Sequence, residues 1–243
     1  MEIFDDKLRA LRRGRALCQG PELFLYDRAF EDLIERLEIV RRSFDQALLI
    51  GALNAEWRTQ LSGRVQSIDV IGIDELPGLE PAGYDLCVAV EGLDTVNDLQ
   101  RALLTIRFAL RFDSLFIGAF PGGDSLPALR AAMRAADEQM GAAAPRVHPR
   151  IEPAAFAGLL ADAGFAMPVV DVDRVEVGYR SFAGLVRDLR SMGSSNALLA
   201  RSRRPLSRRA VAAAAAAFEA QAVDGRTRER FDILHFAAWT PPG

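Results

Sequence analysis

The chain has 243 residues, of which 50% are hydrophobic, and its formal net charge is −3. A chain of this length buries roughly 70–75% of its unfolded surface, so one domain with an elaboration is expected. The charge balance gives no overall field that favours nucleic acid, and no apolar run reaches the ~18 residues of a membrane-spanning helix. With an acidic N-terminus that lacks an apolar targeting segment, the composition predicts a cytoplasmic protein.

The first fifty residues are expected to form helices that lead into a strand. An arginine-rich stretch, residues 5–20, has leucines at roughly helical spacing, which favours a solvated helix face over a site for an anionic partner. A second amphipathic helix is predicted over residues 21–43. The apolar run 48–50 then predicts a buried strand that ends at Gly51, and Asn54 is placed to cap the next helix.

Strands and helices alternate along the middle of the chain. Strands are predicted over residues 64–73, 84–90 and 115–120, which indicates a parallel sheet with helices on both faces. Helices are predicted to begin at Asp98, at Asp124 or Ser125, and at Glu152.

The last third of the chain changes pattern. Residues 169–179 are predicted to be extended, but their apolar alternation changes face near Asp173, which indicates a bulge or a break into two strands. Helices over residues 182–192 and 207–222 and a final strand over residues 231–239 are predicted to follow.

Nine short segments carry a resemblance to a known family, and their order and spacing are more specific than any one segment. They are Tyr84-Asp85-Leu86, Val96-Asn97-Asp98-Leu99, Gly122-Gly123-Asp124-Ser125-Leu126, Pro145-Arg146-Val147-His148-Pro149, the run 163–174, Asp188-Leu189-Arg190-Ser191-Met192-Gly193, Asn196-Ala197-Leu198, Asp224-Gly225-Arg226 and Phe231-Asp232-Ile233-Leu234. With them the chain resembles class I S-adenosylmethionine (SAM) methyltransferases. It is most similar to the group of the mitochondrial complex I assembly factor that hydroxylates an arginine, with its alphaproteobacterial relatives. A more distant resemblance is to the malonyl-carrier-protein methyltransferase of biotin synthesis.

The resemblance implies an α/β fold with a Rossmann-like sheet that is mostly parallel and has an antiparallel last strand. It implies one methyltransferase-like domain over residues 1–243. The expected parts are an N-terminal helical arm (1–44), a core (45–180), a helical cap insertion (181–230) and a last strand with a tail (231–243). Aligned on the acidic segment at Asp74, about one strand–helix unit of the family is missing after Gly51.

The cofactor side departs from the family pattern. The family places an acid near the end of the first strand and a glycine-rich turn after it, whereas this chain has Leu49, Gly51, Leu53 and Ala55 there. Branched or methyl-bearing side chains hinder the close approach of backbone N–H groups to a ligand. SAM binding is therefore expected to be weak or absent, and the candidate cofactor-binding residues are Gly51, Asn54, Asp69, Asp74 and Glu91.

The two histidines give no metal motif. Neither His148 nor His235 has the spacing of a histidine metal site, so no metal site is predicted. His148 is interpreted as a positioned loop residue, with catalysis as the alternative, and His235 as a satisfied core or edge residue. No catalytic residue is identified.

The cap segment is the candidate partner-binding surface, because glycine, serine and asparagine build a shaped turn between two arginine-bearing helices. Its candidate residues are Arg187, Asp188, Arg190, Asn196, Arg201 and Arg204. The resemblance implies a peripheral-arm subunit of respiratory complex I, or its precursor, as the partner. Two functions remain open: a cofactor-impaired assembly-type factor that binds protein, and an active SAM-dependent methyltransferase or hydroxylase-like enzyme with a remodelled turn.

Overall fold

The structure is a computed structural model that describes residues 2–51 and 53–243. Its internal contacts divide the chain into two compact units. Unit 1 comprises Met1–Glu22, Asp124–Arg150 and Arg174–Asp232, and unit 2 comprises Leu23–Gly123, Ile151–Asp173 and Ile233–Gly243. None of the helices in the described part of the chain is long and apolar enough to span a membrane.

Helices and strands alternate as the sequence predicts. The helices are α1 (Asp6–Gln19), α2 (Phe24–Ile39), α3 (Glu56–Leu61), α4 (Leu99–Ala109), α5 (Pro127–Met140), α6 (Pro153–Asp162), α7 (Phe182–Ser191) and α8 (Arg208–Glu219). The strands are β1 (Phe44–Ile50), β2 (Val65–Ile71), β3 (Tyr84–Ala89), β4 (Leu110–Gly122), β5 (Ala166–Tyr179) and β6 (Thr227–Trp239). Two short 3₁₀ helices cover Ile73–Gly78 and Leu93–Thr95.

The described strands form one six-stranded sheet in the order β2-β1-β3-β4-β6-β5. Strand β1 pairs in parallel with β2 and β3, and β3 pairs in parallel with β4. The amide of Thr240 donates to the carbonyl of Ser114 (2.8 Å), so the end of β6 lies beside the start of β4 and the two strands run in opposite directions. The predicted α/β sheet with an antiparallel last strand is confirmed, and its six strands agree with the shortened pattern after Gly51.

The core of unit 2 lies against β1, β3 and β4. Phenylalanine rings pack edge to face at its centre, with ring centroids 4.7 Å apart for Phe120 and Phe156 and 4.9 Å apart for Phe156 and Phe236. Gly118 of β4 lies beside Ala89 of β3 and contacts the Phe236 ring so closely that a Cβ atom there would lie 2.3 Å from the Ala89 carbonyl oxygen. Gly118 therefore allows the aromatic layer to reach the sheet.

Unit 1 is mainly helical. Helix α5 packs against α8, and α7 packs against α1 and α8, with the rings of Phe182 and Phe218 5.8 Å apart. A short antiparallel bridge joins Phe4, before α1, to Leu198, after α7. The N-terminal residues of the chain are thus held by the segment that follows α7.

The N-terminus of α5 is capped differently from the prediction. Neither Asp124 nor Ser125 caps the helix; Leu126 precedes it with φ of 66° and offers no side-chain cap. The carboxylate of Glu229 in β6, which is 0% exposed, accepts the amides of Ala128 (3.1 Å) and Leu129 (2.7 Å). The cap prediction is wrong because the acceptor comes from a distant strand.

Strand β5 is continuous from Ala166 to Tyr179, so the predicted break into two strands is wrong. The predicted change of face is confirmed, since Val172 and Asp173 are both half-buried while exposed residues alternate on either side of them. Helix α2 ends at Ile39, four residues before the predicted end. The helix ends early because residues 40–43 form the turn that leads the chain into β1 at Phe44.

Candidate functional site

Unit 1 contains a cavity of about 540 Å³ that is lined by arginines and apolar side chains. Its walls come from α1, α5, α7, the loop after α5 and the turn at Ser194 and Ser195. The apolar part includes Leu129, Met133 and Phe182. The arginines that line it are Arg12, Arg15, Arg146, Arg150 and Arg190.

The electrostatic field of the cavity is positive. No aspartate or glutamate is among the described residues that line it. Arg146 is compensated by Asp137, whose carboxylate it contacts at 2.7 Å. Burial lowers the pKa of Arg12, and the charges of Arg201, Arg15 and Arg190 lower it further. The cavity therefore suits an anionic group attached to an apolar one.

Two of the family-like segments meet at one junction beside the cavity. The side-chain amide of Asn196 donates to the carbonyl of Pro145 (2.9 Å), and the Arg12 guanidinium donates to the carbonyl of Asn196. The amide of Ala197 donates to Nε2 of His148 (2.8 Å). These contacts fix the loop after α5 to the turn after α7 and to α1.

His148 is a buried structural acceptor in this junction. It is 6% exposed, and the ring of Phe4 packs edge-on against it with centroids 5.2 Å apart. Burial lowers the pKa of His148 to about 3, and the charges of Arg150, Arg12 and Arg130 act in the same direction. The neutral ring, with Nε2 unprotonated, is the form that accepts the Ala197 amide. This geometry favours the positioning role over catalysis.

We expect His148 to make the stability of the protein depend on pH. Above the ordinary histidine pKa of 6.5 the ring is neutral in both states, and its contribution to stability is fully present. Below 6.5 the unfolded chain binds a proton that the folded chain does not, so stability falls as the pH falls towards about 3. Between pH 7 and pH 5 this group alone accounts for a loss of about 2 kcal/mol.

His148→Gln tests this dependence, because a glutamine oxygen still accepts the Ala197 amide but does not titrate. Denaturant unfolding at pH 7 and pH 5 is expected to show a smaller loss for the variant than for the wild type. Parallel pH dependence of the two proteins would contradict the assignment of the shift to His148.

The structure separates the six candidate partner-binding residues. Arg190 and Asn196 line the cavity. The Arg201 guanidinium contacts the Asp5 carboxylate (3.1 Å) and the Leu198 carbonyl (2.8 Å), which anchors the N-terminal segment. Asp188 is half-buried beside Tyr179, whose pKa is raised by burial and then by Asp188. The other two candidates, Arg187 and Arg204, are exposed.

In unit 2, the structure brings Gly51 and Glu91 together beyond the ends of β1 and β3. Gly51 has φ of +142°, and its amide donates to the Ile71 carbonyl (3.1 Å). A Cβ atom on Gly51 would lie 3.2 Å from Cγ of Glu91 and 3.3 Å from Cζ3 of Trp57. The buried Trp57 ring stacks on Phe30 with centroids 5.5 Å apart. The open side of this glycine therefore faces the chain's own side chains.

The other three candidate cofactor residues lie apart from this pair. Asn54 is not the N-cap of α3 that was predicted, because Ala55 holds that position; Asn54 lies one residue earlier, where it accepts the Glu56 amide (2.9 Å) and donates to Asp27 (2.8 Å). Asp69 is exposed in the middle of β2, and its carboxylate accepts the Tyr84 hydroxyl (2.9 Å). Asp74 is exposed on the first 3₁₀ helix.

His235 is buried in unit 2, as a core residue, but it is not satisfied by hydrogen bonds. It is 0% exposed, and neither ring nitrogen has a hydrogen-bond partner within the described part of the chain. The interpretation of His235 as a satisfied residue is wrong, because the neighbouring carboxylate of Asp32 lies 3.7 Å from Nε2, beyond hydrogen-bonding distance.

Four of the five arginines that line the cavity were not among the candidate site residues. Arg12 and Arg15 are three residues apart on α1 and project to one side, a spacing that the solvated-face interpretation passed over. Arg146 lies within the family-like segment that contains His148, and Arg150 directly follows it. The position of Arg146 and Arg150 at this family-like segment was the sequence feature that could have identified them as cavity residues.

Comparison with known proteins gives relatives in both sequence and structure, although no protein-family model matches the chain. It is 32% identical over 208 residues to the mitochondrial arginine-hydroxylase NDUFAF5 of Danio rerio, across 84% of this chain and 63% of that protein. It is 29% identical over 203 residues to malonyl-[acyl-carrier protein] O-methyltransferase of Laribacter hongkongensis, across 84% of this chain and 65% of that protein. The chain thus spans slightly less than two thirds of either relative.

The fold is shared with solved structures, among them a putative methyltransferase of Bacillus halodurans, which superposes with a TM-score of 0.56 at 8% identity over 87% of this chain and 99% of that one. The YcgJ protein of Bacillus subtilis superposes with a TM-score of 0.56 at 11% identity, over 88% of this chain and 98% of that one. At such low identity the superposition establishes the fold alone. By sequence this chain is similar to the arginine-hydroxylase NDUFAF5 proteins and to malonyl-[acyl-carrier protein] O-methyltransferase, and its fold is the Rossmann-like fold of methyltransferase structures.

Proposed function

We propose that this chain is a methyltransferase-like protein that acts by binding a protein partner through the arginine-lined cavity of unit 1. The cavity carries the proposal, because it combines several arginines with an apolar wall and no acidic side chain among its described lining residues. Arginine forks bind carboxylates in two-point contacts, and an apolar wall favours the residues that flank an acid at a protein surface. An acidic segment of a partner protein fits this combination.

The distribution of the family-like segments supports the same proposal. Four of the nine segments contribute side chains to the cavity, through Leu126, Arg146, Leu189 and Asn196 among others. The cofactor turn at Gly51, in contrast, departs from the family pattern. The chain therefore keeps the resemblance where the cavity is formed.

We further propose that the SAM site is degenerate, so that the cofactor binds weakly or not at all. The contact of Gly51 with the buried Trp57 ring supports this, because a bulky side chain beside the glycine hinders the approach of a cofactor to the backbone. The hydrogen bond between Asp69 and Tyr84 also supports it, since Asp69 is the one acidic residue of β2 and its carboxylate is already occupied by the Tyr84 hydroxyl.

The resemblance gives the proposed partner its identity. A complex I assembly-type role implies a peripheral-arm subunit of respiratory complex I or its precursor as the protein that is bound. The Danio rerio relative is named an arginine-hydroxylase, and that activity is a property of the relative. The cytoplasmic location stays a prediction.

The alternative is an active SAM-dependent methyltransferase, or a hydroxylase-like enzyme, with a remodelled turn. The meeting of Gly51 and Glu91 beyond β1 and β3 favours it, because ligands of such folds bind beyond the carboxyl ends of the strands. The methyltransferase names among the relatives favour it as well.

Calorimetric titration with SAM distinguishes the two functions. We expect no saturable heat at micromolar concentrations, since the ribose acid and two close backbone contacts are missing and each 1.4 kcal/mol lost weakens binding about tenfold. Saturable micromolar binding by the folded wild type would establish a working cofactor site and overturn the degenerate-site proposal.

Two arginines three residues apart on α7 test the partner proposal. Arg190 lines the cavity and Arg187 does not, so Arg187→Gln is a matched control for Arg190→Gln. With a purified peripheral-arm subunit of the same organism, we expect Arg190→Gln to weaken binding at least about tenfold and Arg187→Gln to change it less than about twofold. Equal effects of both variants on binding, or no effect of either, would rule out the cavity as the recognition site.

A further inference from the structure

Three side chains that are distant in the sequence converge in unit 2. Asp32 of α2, Asp173 of β5 and His235 of β6 each present one potential metal-ligating atom, and these atoms all lie within 4.8 Å of one another. The Nε2 atom of His235 is 3.7 Å from Oδ2 of Asp32. None of the three residues lines the arginine-rich cavity.

The state of His235 shows that this cluster is more than a set of surface acids. Its ring is 0% exposed, and neither nitrogen is hydrogen-bonded within the described residues. Burying a polar group without a partner is costly, so such a group calls for a ligand. Two atoms that bind one metal ion at about 2.1 Å each lie about 3.0–3.5 Å apart. The separation of 3.7 Å is too long for a hydrogen bond but close to that range.

The backbone places the second carboxylate at the same point. The exposure pattern of β5 changes face at Asp173, which leaves this side chain half-buried beside β6. The guanidinium of Arg28 donates to Oδ2 of Asp173 (3.0 Å) and fixes the carboxylate from outside. Carboxylates that bind a metal ion are commonly held in position by a hydrogen bond of this kind.

We propose that Asp32, Asp173 and His235 bind one divalent transition-metal ion. An imidazole and two carboxylates offer one nitrogen and two oxygen donors, which suits Zn²⁺, Fe²⁺, Mn²⁺ or Co²⁺ better than Mg²⁺ or Ca²⁺. The side chains of Asp32 and Asp173 are 32% and 27% exposed, so the ion reaches the buried histidine from solvent past the two acids. Two carboxylates also balance the charge of the ion.

The protonation state of His235 agrees with this assignment. Burial lowers its pKa and Arg36 lowers it further, while Asp32, Asp171 and Asp173 oppose the shift. The ring is therefore neutral at pH 7, which is the form that coordinates a metal.

The site is tested by titrating chelator-treated protein with Zn²⁺ and with Co²⁺, the latter followed by its visible absorption. We expect saturable binding of one ion per chain. His235→Phe and Asp173→Asn should each weaken that binding at least about 100-fold, since each removes a direct ligand. Without metal, His235→Phe should be as stable as the wild type or more stable, because it removes two unpaired buried polar atoms.

Asp171→Asn is the matched control. Asp171 is two residues from Asp173 on the same strand and is held by Arg36 at 2.6 and 2.8 Å, outside the cluster. This variant removes the same charge from the same region, and its metal affinity should stay within about threefold of the wild type. The proposal is overturned by the absence of saturable binding below about 1 mM, or by binding that survives in His235→Phe and Asp173→Asn. An equal loss in Asp171→Asn overturns it too, since it would indicate general attraction to acidic charge.

Discussion

Gly118→Ala is expected to destabilise the protein by at least about 3 kcal/mol, a large share of the stability of a typical domain. The added Cβ would lie 2.3 Å from the Ala89 carbonyl oxygen and 2.5 Å from Cζ of Phe236. The first atom belongs to the backbone of a central strand. The second belongs to a ring that is 1% exposed and wedged between Phe116 and Phe156, so neither can move aside cheaply.

Gly158→Ala is the control for this change, because it adds the same methyl group where nothing lies within 4 Å. Gly158 is exposed inside α6, where alanine is favoured over glycine by roughly 0.5–1 kcal/mol. Chemical unfolding of both variants should therefore give shifts of opposite sign. A loss below about 1 kcal/mol for Gly118→Ala would mean that β3 and β4 are more loosely paired than the structure shows.

Glu229→Leu is expected to cost roughly 3 kcal/mol or more, because it leaves buried amides without an acceptor. The Glu229 carboxylate accepts the amides of Ala128, Leu129 and Arg230, at 3.1, 2.7 and 3.1 Å. Leucine has nearly the same bulk but no acceptor, so the loss reports the missing bonds and not an empty space.

Glu229→Gln separates the hydrogen bonds from the size of the side chain. Glutamine keeps one oxygen acceptor in place, and we expect it to cost about 1–2 kcal/mol, clearly less than leucine. The check is the free energy of unfolding in urea, together with the helix signal in circular dichroism. Equal losses for the two variants would indicate that the acceptor does not hold the start of α5.

The fold followed from local signals, and the errors arose where a partner came from far along the chain. The side chain of Asp98 caps α4 by accepting the amide of Arg101 (3.0 Å), as its position before an amphipathic helix predicts. The acceptor for α5 is instead Glu229, 101 residues away from Ala128. Local propensity carries no information about such a contact, so the wrong cap was predicted.

The candidate sites show the same division. The cap segment was singled out from its composition, and two of its residues, Arg190 and Asn196, do line the cavity. The contact of Arg12 with the Asn196 carbonyl joins residues 184 positions apart. The sequence of the arginine-rich helix therefore did not indicate that its arginines line a cavity. The cluster around His235 has no sequence signature, since its members come from three elements and share no spacing motif.

The make-up of unit 1 has a consequence for the synthesis of the protein. Its three segments, Met1–Glu22, Asp124–Arg150 and Arg174–Asp232, are separated by long stretches of unit 2. The segment that contains α1 leaves the ribosome before the other two segments, and Leu198 and α7, which hold it in place, are made much later. At about 5–20 residues per second, the nascent N-terminus waits on the order of 10–40 seconds for these contacts. Through that interval Phe4, which is buried in the folded chain, lacks the cover that His148 and Leu198 give it, so the segment that begins α1 presents an aromatic side chain to chaperones during translation.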